Sequence, residues 1–223
     1  MPIDPQSPIE IVTLDWVPDF ARGYVRDYRV RWALEEAGIG YRTDPISTLR
    51  RPASHFAEQP FGQVPAYREG PVRMFESGAI VLHVAERSEA LLPSDPAERA
   101  RALCWMFAAL NSIEPMLMEL TNVDLFAKGE EWATLRRPSL AAAIDKRLGQ
   151  LATALGDRDY LEGRFTAGDL LMASALRALD HTDLLDAHPV LAAYQQRCLA
   201  RPGFVAATGA QLAELKTEMP EAA

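Results

Sequence analysis

Strand-type and helix-type patterns alternate up to about Arg87 of this 223-residue chain, and only helix-type patterns follow. That asymmetry limits the fold more than any single motif does. Residues 9–16 carry the β-branched run Ile11-Val12-Thr13 and read as a strand. Val30, Ala33, Leu34 and Ala37 recur at i, i+3, i+4 and i+7, the spacing of an amphipathic helix, which Gly38 ends. Residues 39–46 alternate weakly as a second strand. Residues 65–68 and Val72–Phe75 flank Glu69-Gly70-Pro71 and read as a hairpin. Ser77 is expected to cap the next helix, whose apolar face is Ile80, Val81 and Val84.

The order is therefore β-α-β-(short α)-β-β-α, closed by the proline-bearing stretch Leu91-Leu92-Pro93-Ser94-Asp95-Pro96. The spacing predicts a small α/β domain over 1–87, a linker over 88–96 and an all-α domain over 97–223. Within the latter, Pro115 should kink or divide a long helix starting near Asp95, because proline removes a helical hydrogen bond.

Composition narrows the function classes. With 48% hydrophobic and 24% charged residues the chain is globular rather than disordered. A net charge of −8 argues against nucleic acid as a partner, since phosphate binding needs a basic patch. No apolar run approaches the ~20 residues of a membrane span, and the start, Met1-Pro2-Ile3-Asp4, lacks the marks of a secretory signal. A cytoplasmic location is expected. Cys104 and Cys198 form no scaffold, and no His/Cys group has metal spacing, so no metal is expected.

Two short segments could carry chemistry. Val64-Pro65 opens a strand. It is either an ordinary trans linkage or a cis one that turns the Val64 N–H and C=O outward, where an extended peptide could pair with them. Glu76-Ser77 is either a solvated glutamate before a cap or a carboxylate and ammonium site. In the second case helix N–H groups and the Ser77 hydroxyl take the carboxylate, while Glu76 faces the ammonium. A peptide end bearing both groups would satisfy the pair. Arg22, Arg26, Arg29 and Arg31 crowd one stretch and read as a solvated face, some of which could line an anion site.

Phe61-Gly62-Gln63-Val64-Pro65-Ala66 followed by Met74-Phe75-Glu76-Ser77-Gly78-Ala79-Ile80 resembles the N-terminal half of a glutathione transferase. Arg31-Trp32-Ala33-Leu34-Glu35-Glu36-Ala37-Gly38, Phe165-Thr166-Ala167-Gly168-Asp169 and Arg201-Pro202-Gly203-Phe204 resemble later signatures of the same family, in family order. The resemblance implies a thioredoxin-like domain followed by an all-α one, with glutathione as co-substrate. It implies that Val64, before a cis Pro65, pairs with the cysteinyl backbone of glutathione, and that Glu76 and Ser77 hold its γ-glutamyl end. Arg51 and Gln63 are the candidates for its glycine carboxylate. Thr166 and Asp169 fit a structural capping box.

Family members place a Tyr, Ser or Cys between the first strand and first helix to activate the thiol. Here residues 15–26 hold neither serine nor cysteine. Tyr24 could donate from its phenol, Arg22 could supply charge, and Trp16 could donate from its indole or wall the pocket. No Cys-x-x-Cys follows the first strand, which excludes a dithiol oxidoreductase. The resemblance places an apolar electrophile beside the helix from Asp95, where Trp105, Met106, Ala109 and Leu110 are available, with Tyr28 or Phe20 opposite. It also implies a homodimer. Transferase activity, or a neighbouring glutathione-dependent isomerase or peroxidase reaction, stands against a second reading: a binding or interaction module that keeps the fold without turnover.

Overall fold

The structure, a computed structural model, describes residues 3–220. The chain forms two compact units: Met1–Leu91 with Arg201–Ala223, and Leu92–Ala200.

In the first unit the elements run β1 (Ile9–Leu14), α1 (Asp27–Ala37), β2 (Arg42–Ile46), α2 (Ala53–Glu58), β3 (Ala66–Glu69), β4 (Val72–Phe75) and α3 (Ser77–Ala85). The sheet order is β2-β1-β3-β4. β1 pairs in parallel with β2, and antiparallel pairs join β1 to β3 and β3 to β4. Central β1 is buried along nearly its whole length, through Ile9, Ile11, Val12, Thr13 and Leu14, as befits a strand paired on both sides. Register is also fixed by charge. Arg68 on β3 reaches Glu10 on β1 (2.6 Å), Asp44 on β2 (2.8 Å) and Glu58 on α2 (2.8 Å). Helix α1 stops at Gly38, whose φ of 66° is the left-handed conformation that glycine adopts without a steric cost.

The last helix, α9 (Pro202–Glu214), belongs to this first unit, which differs from the division expected from the sequence at its C-terminal end. The physical reason is its contact with α1. Phe204 lies edge-on to Trp32 (ring centroids 5.0 Å apart) and to Tyr28 (6.1 Å). Arg201 grips Glu36 with both Nε (2.8 Å) and Nη2 (2.7 Å). A Cβ at Gly203 would stand 2.8 Å from Glu36 Oε1, so the residue between those two anchors has to be small. The arginine run also departs from a solvated face. Arg31 is 1% exposed, bound to Asp27 (2.8 Å) and Glu214 (2.6 Å), and Arg29 is buried. Ser77 is not a cap: it is the first residue of α3, after Glu76 at the cap position.

The second unit holds α4 (Pro96–Phe107), α5 (Glu114–Thr121), α6 (Glu131–Leu155), α7 (Ala167–Leu176) and α8 (Pro189–Leu199). Asp95 caps α4 by accepting from the N–H groups of Ala97 and Glu98. A π-helical turn, Ala108–Ile113, separates α4 from α5 just before Pro115, where the missing N–H and the proline ring disrupt the regular ladder. Thr166 and Asp169 form the expected capping box at the start of fully buried α7.

Candidate functional site

Strand register brings the predicted residues of the first unit together. Ala66 pairs with Phe75 in an antiparallel register, so Val64, two residues before Ala66, and Ser77, two residues after Phe75, emerge at the same end of the hairpin. Val12 pairs with Ala66 and Leu14 with Ile46, so the chain leaving β1 at Asp15 and the chain leaving β2 at Ser47 emerge at that end too. Loops bearing Trp16, Arg22, Tyr24, Arg51, Gln63, Val64, Glu76 and Ser77 thus start or end on one edge of one sheet. Underneath, Val64 packs with Ala21 and Val25 on a cluster of Val12, Leu14, Val17, Ile46, Ala66 and Leu215.

The Val64–Pro65 peptide bond is cis, and Pro65 is buried. The segment before it is built on two buried side chains, each 2% exposed, that the sequence did not single out as site residues. Gln59 Oε1 accepts from the N–H groups of Phe61 (2.7 Å) and Gln63 (3.2 Å). His55 Nε2 lies 2.7 Å from the Gln63 carbonyl. A carbonyl can only accept, so this nitrogen carries the proton. Gly62 has a φ of +65°, and a Cβ there would meet the Phe56 ring at 2.6 Å. The one available signal was local: Gln59-Pro60-Phe61-Gly62 is turn chemistry directly ahead of the strand.

Glu76, exposed, has φ 70° and ψ 110°, the only positive φ of a non-glycine residue among the described residues. Such a conformation costs about 1–3 kcal/mol and persists only where its surroundings over-determine it. Behind it, Ser77 is 7% exposed in the first turn of α3. The helical ladder begins with Ile80 N–H donating to the Glu76 carbonyl (3.0 Å), so the N–H groups of residues 77–79 precede it, at the positive end of the helix dipole.

The loop after β1 is well tied. Asp15 Oδ1 accepts from Thr48 N–H (3.1 Å), and the Thr48 hydroxyl donates to the Trp16 carbonyl. Arg22 Nη1 donates to the Lys216 carbonyl (2.9 Å), while Tyr24 is 43% exposed. Arg51 is half-buried, with Nη1 on the Thr48 carbonyl (2.8 Å) and Nε without a hydrogen-bond partner.

Trp105, Met106 and Ala109 lie in the second unit. Met106 (3% exposed) and Ala109 (0%) belong to its core, as apolar residues at helical spacing commonly do, and the Trp105 indole N–H donates to Glu162 (2.8 Å). Tyr28 is buried against Phe204 rather than open to a ligand. Among the described residues there is no group of three or more His, Cys, Asp or Glu able to hold a metal, and no helix long and apolar enough to cross a membrane.

The chain is similar to known proteins. A family model described as the N-terminal domain of glutathione S-transferase matches residues 21–86. A probable glutathione S-transferase of Oryza sativa subsp. japonica is 30% identical over 194 residues, covering 76% of this chain and 84% of that protein. A maleylacetoacetate isomerase of Rhizobium meliloti (strain 1021) is 31% identical over 193 residues, covering 79% and 89%. The crystal structure of a theta class glutathione S-transferase from Xanthomonas axonopodis pv. citri, with glutathione bound, matches with a TM-score of 0.73 at 25% identity, covering 90% of this chain and 97% of that one.

Proposed function

Because the chain belongs to the glutathione S-transferase family, we propose that it binds glutathione at the sheet end formed by residues 63–65 and 76–77. There it joins glutathione, through its thiol sulfur, to an apolar electrophile. The observation that carries this reading is the pairing of Ala66 with Phe75, which sets the Val64 main chain beside the start of α3. The Val64 backbone pairs with the cysteinyl residue as an added strand would. Glu76 meets the γ-glutamyl ammonium, while Ser77 and the first N–H groups of α3 take its carboxylate. Arg51 and Gln63 serve the glycine carboxylate.

Catalysis requires the thiolate. Bringing a thiol from about 8.5 to about 6.5 takes about 2.7 kcal/mol of preference for the charged form, within the reach of one or two charge-assisted hydrogen bonds. Arg22, Tyr24 and Trp16 on the loop after β1 are the groups for that task. With a chloro-nitroaromatic acceptor, a carbon–sulfur bond forms, the carbon–chlorine bond breaks, chloride leaves and the thiol proton passes to solvent.

The likeness to a maleylacetoacetate isomerase supports a second glutathione-dependent reading, in which the thiolate adds to a double bond and leaves again after rotation. Initial rates with a chloro-nitroaromatic and with maleylacetoacetate, beside glutathione calorimetry, decide between them. Conjugate formation supports transfer, and isomerised product without conjugate supports the second reading. Glutathione binding without either product contradicts both and points to a non-catalytic module. The chain pairs as a twofold homodimer in the cytoplasm. Sedimentation at micromolar concentration should give twice the mass of one chain, and the mass of one chain contradicts the dimer.

A further inference from the structure

The C-terminal end of α9 is fastened to the loop after β1 at three separate points. Lys216 N–H donates to the Asp15 carbonyl (2.9 Å), where that loop begins, and Lys216 Nζ reaches Asp15 Oδ2 (3.0 Å). The Lys216 carbonyl accepts from Arg22 in the middle of the loop (2.9 Å). Gln211, 2% exposed, donates to the Val25 carbonyl at the loop's end (2.8 Å) and to Asp27 Oδ1 (2.6 Å). Leu215 lies between them, buried in the cluster that also packs Ala21, Val25 and Val64. Glu214 adds bonds to Arg31 (2.6 Å) and to Thr43 (3.2 Å).

These bonds are unlike ordinary helix packing. Two of them end on backbone carbonyls of the loop, one of these two joining the backbones of Lys216 and Asp15, and a third takes a guanidinium from the loop. Together they fix the loop's course rather than merely covering it. We infer that Gln211 and Lys216 are positioning residues that hold the 15–26 loop in the geometry its thiol-activating side chain requires. The inference deepens the transferase reading and rests on it for its kinetic consequence, while its structural part stands apart. Holding a donor within a few tenths of an ångström of a developing thiolate is what preorganisation contributes, and a loop free to shift loses that contribution without losing the peptide-binding edge at 64 and 77.

The test uses the full chain with Gln211→Met and Lys216→Pro, singly and combined. The second change removes the N–H and the ammonium at Asp15, and Leu215, at ψ 125°, tolerates a following proline. In the combined variant, hydrogen exchange of amides 16–26 should accelerate at least tenfold. Its kcat with a chloro-nitroaromatic should fall at least tenfold, and the acid limb of its pH profile should move up by at least half a pH unit. Glutathione affinity by calorimetry should stay within threefold of the parent. Unchanged exchange, or a kcat and pH profile within twofold of the parent in a folded variant, overturns the inference. So does a loss of kcat that is matched by lost glutathione affinity with no change in the profile. If the combined variant does not fold, Lys216→Pro alone is held to the same directions. A parent that turns over no electrophile defeats the transferase reading, and the exchange data then decide the holding role alone.

Discussion

Arg22 Nη1 donates to the carbonyl of Lys216, 194 positions later, at 2.9 Å. Tyr24, two residues on from Arg22, is instead 43% exposed. Of the three groups offered for thiol activation, Arg22 is anchored by the chain's far end, and Tyr24 stands on the loop so anchored. A fixed cation and a more open phenol on one loop give distinct mutational signatures. Arg22→Lys keeps the charge but loses the planar fork.

That anchor has a pH dependence through Asp15. Burial works to raise its carboxyl, but the Lys216 ammonium and the Thr48 N–H outweigh it and hold Asp15 below its ordinary 3.8. A carboxyl depressed in the folded state stabilises the fold above its unfolded value, and that contribution is lost as pH falls through the lower folded value. Denaturant unfolding of the parent and of Lys216→Met should show a gap near pH 6 that narrows below about pH 4. A gap independent of pH contradicts the pairing.

Phe204→Ala removes the ring that α9 sets against Trp32 and Tyr28. Because Phe204 is only half-buried, the loss should fall near or below the low end of the range for large aromatic truncations, about 2–3 kcal/mol in urea unfolding. A change under about 0.5 kcal/mol, the ordinary scale of a surface substitution, contradicts that packing.

Gly62→Ala forces an alanine into φ +65° and its Cβ to 2.6 Å from the Phe56 ring. Strain of about 1–2 kcal/mol comes from the backbone alone. Stability should drop by at least that much, and glutathione affinity should fall with it, because the following residues carry the binding edge. Unaltered stability and affinity contradict this account of the turn.

Asp169, fully buried, accepts from the N–H groups of Leu161 (2.9 Å) and Thr166 (2.9 Å) and from the hydroxyls of Thr166 (3.1 Å) and Tyr194 (3.0 Å). Asp169→Asn turns one acceptor oxygen into a donor against donors. A loss of about 2–4 kcal/mol is expected, from the broken cap and an unsatisfied buried group. A melting temperature within about a degree of the parent contradicts it.

What the sequence revealed was what short-range chemistry encodes. The β-branched run of β1, the Glu69-Gly70-Pro71 hairpin, Gly38 at the end of α1 and the Thr166/Asp169 box each signal through neighbours within a few residues. Ser77 lies in the first turn rather than at the cap because Glu76, a residue type that gives no hint of it in the sequence, adopts the positive φ at the cap position. Arg31 passed for a solvated residue because one of its partners, Glu214, lies 183 positions away. The same distance hid the attachment of α9 to the first unit. His55 and Gln59 act on backbone atoms, which leave no pattern in side-chain spacing.

The central claim is that glutathione docks where Val64 meets the start of α3. Calorimetric titration of glutathione into the parent and into Ser77→Ala tests it most directly. The parent should bind one glutathione per chain at this site, and the variant should lose a charge-assisted hydrogen bond, about 1.5–3 kcal/mol, or about 10- to 150-fold in affinity. Equal affinities for parent and variant would contradict the docking site.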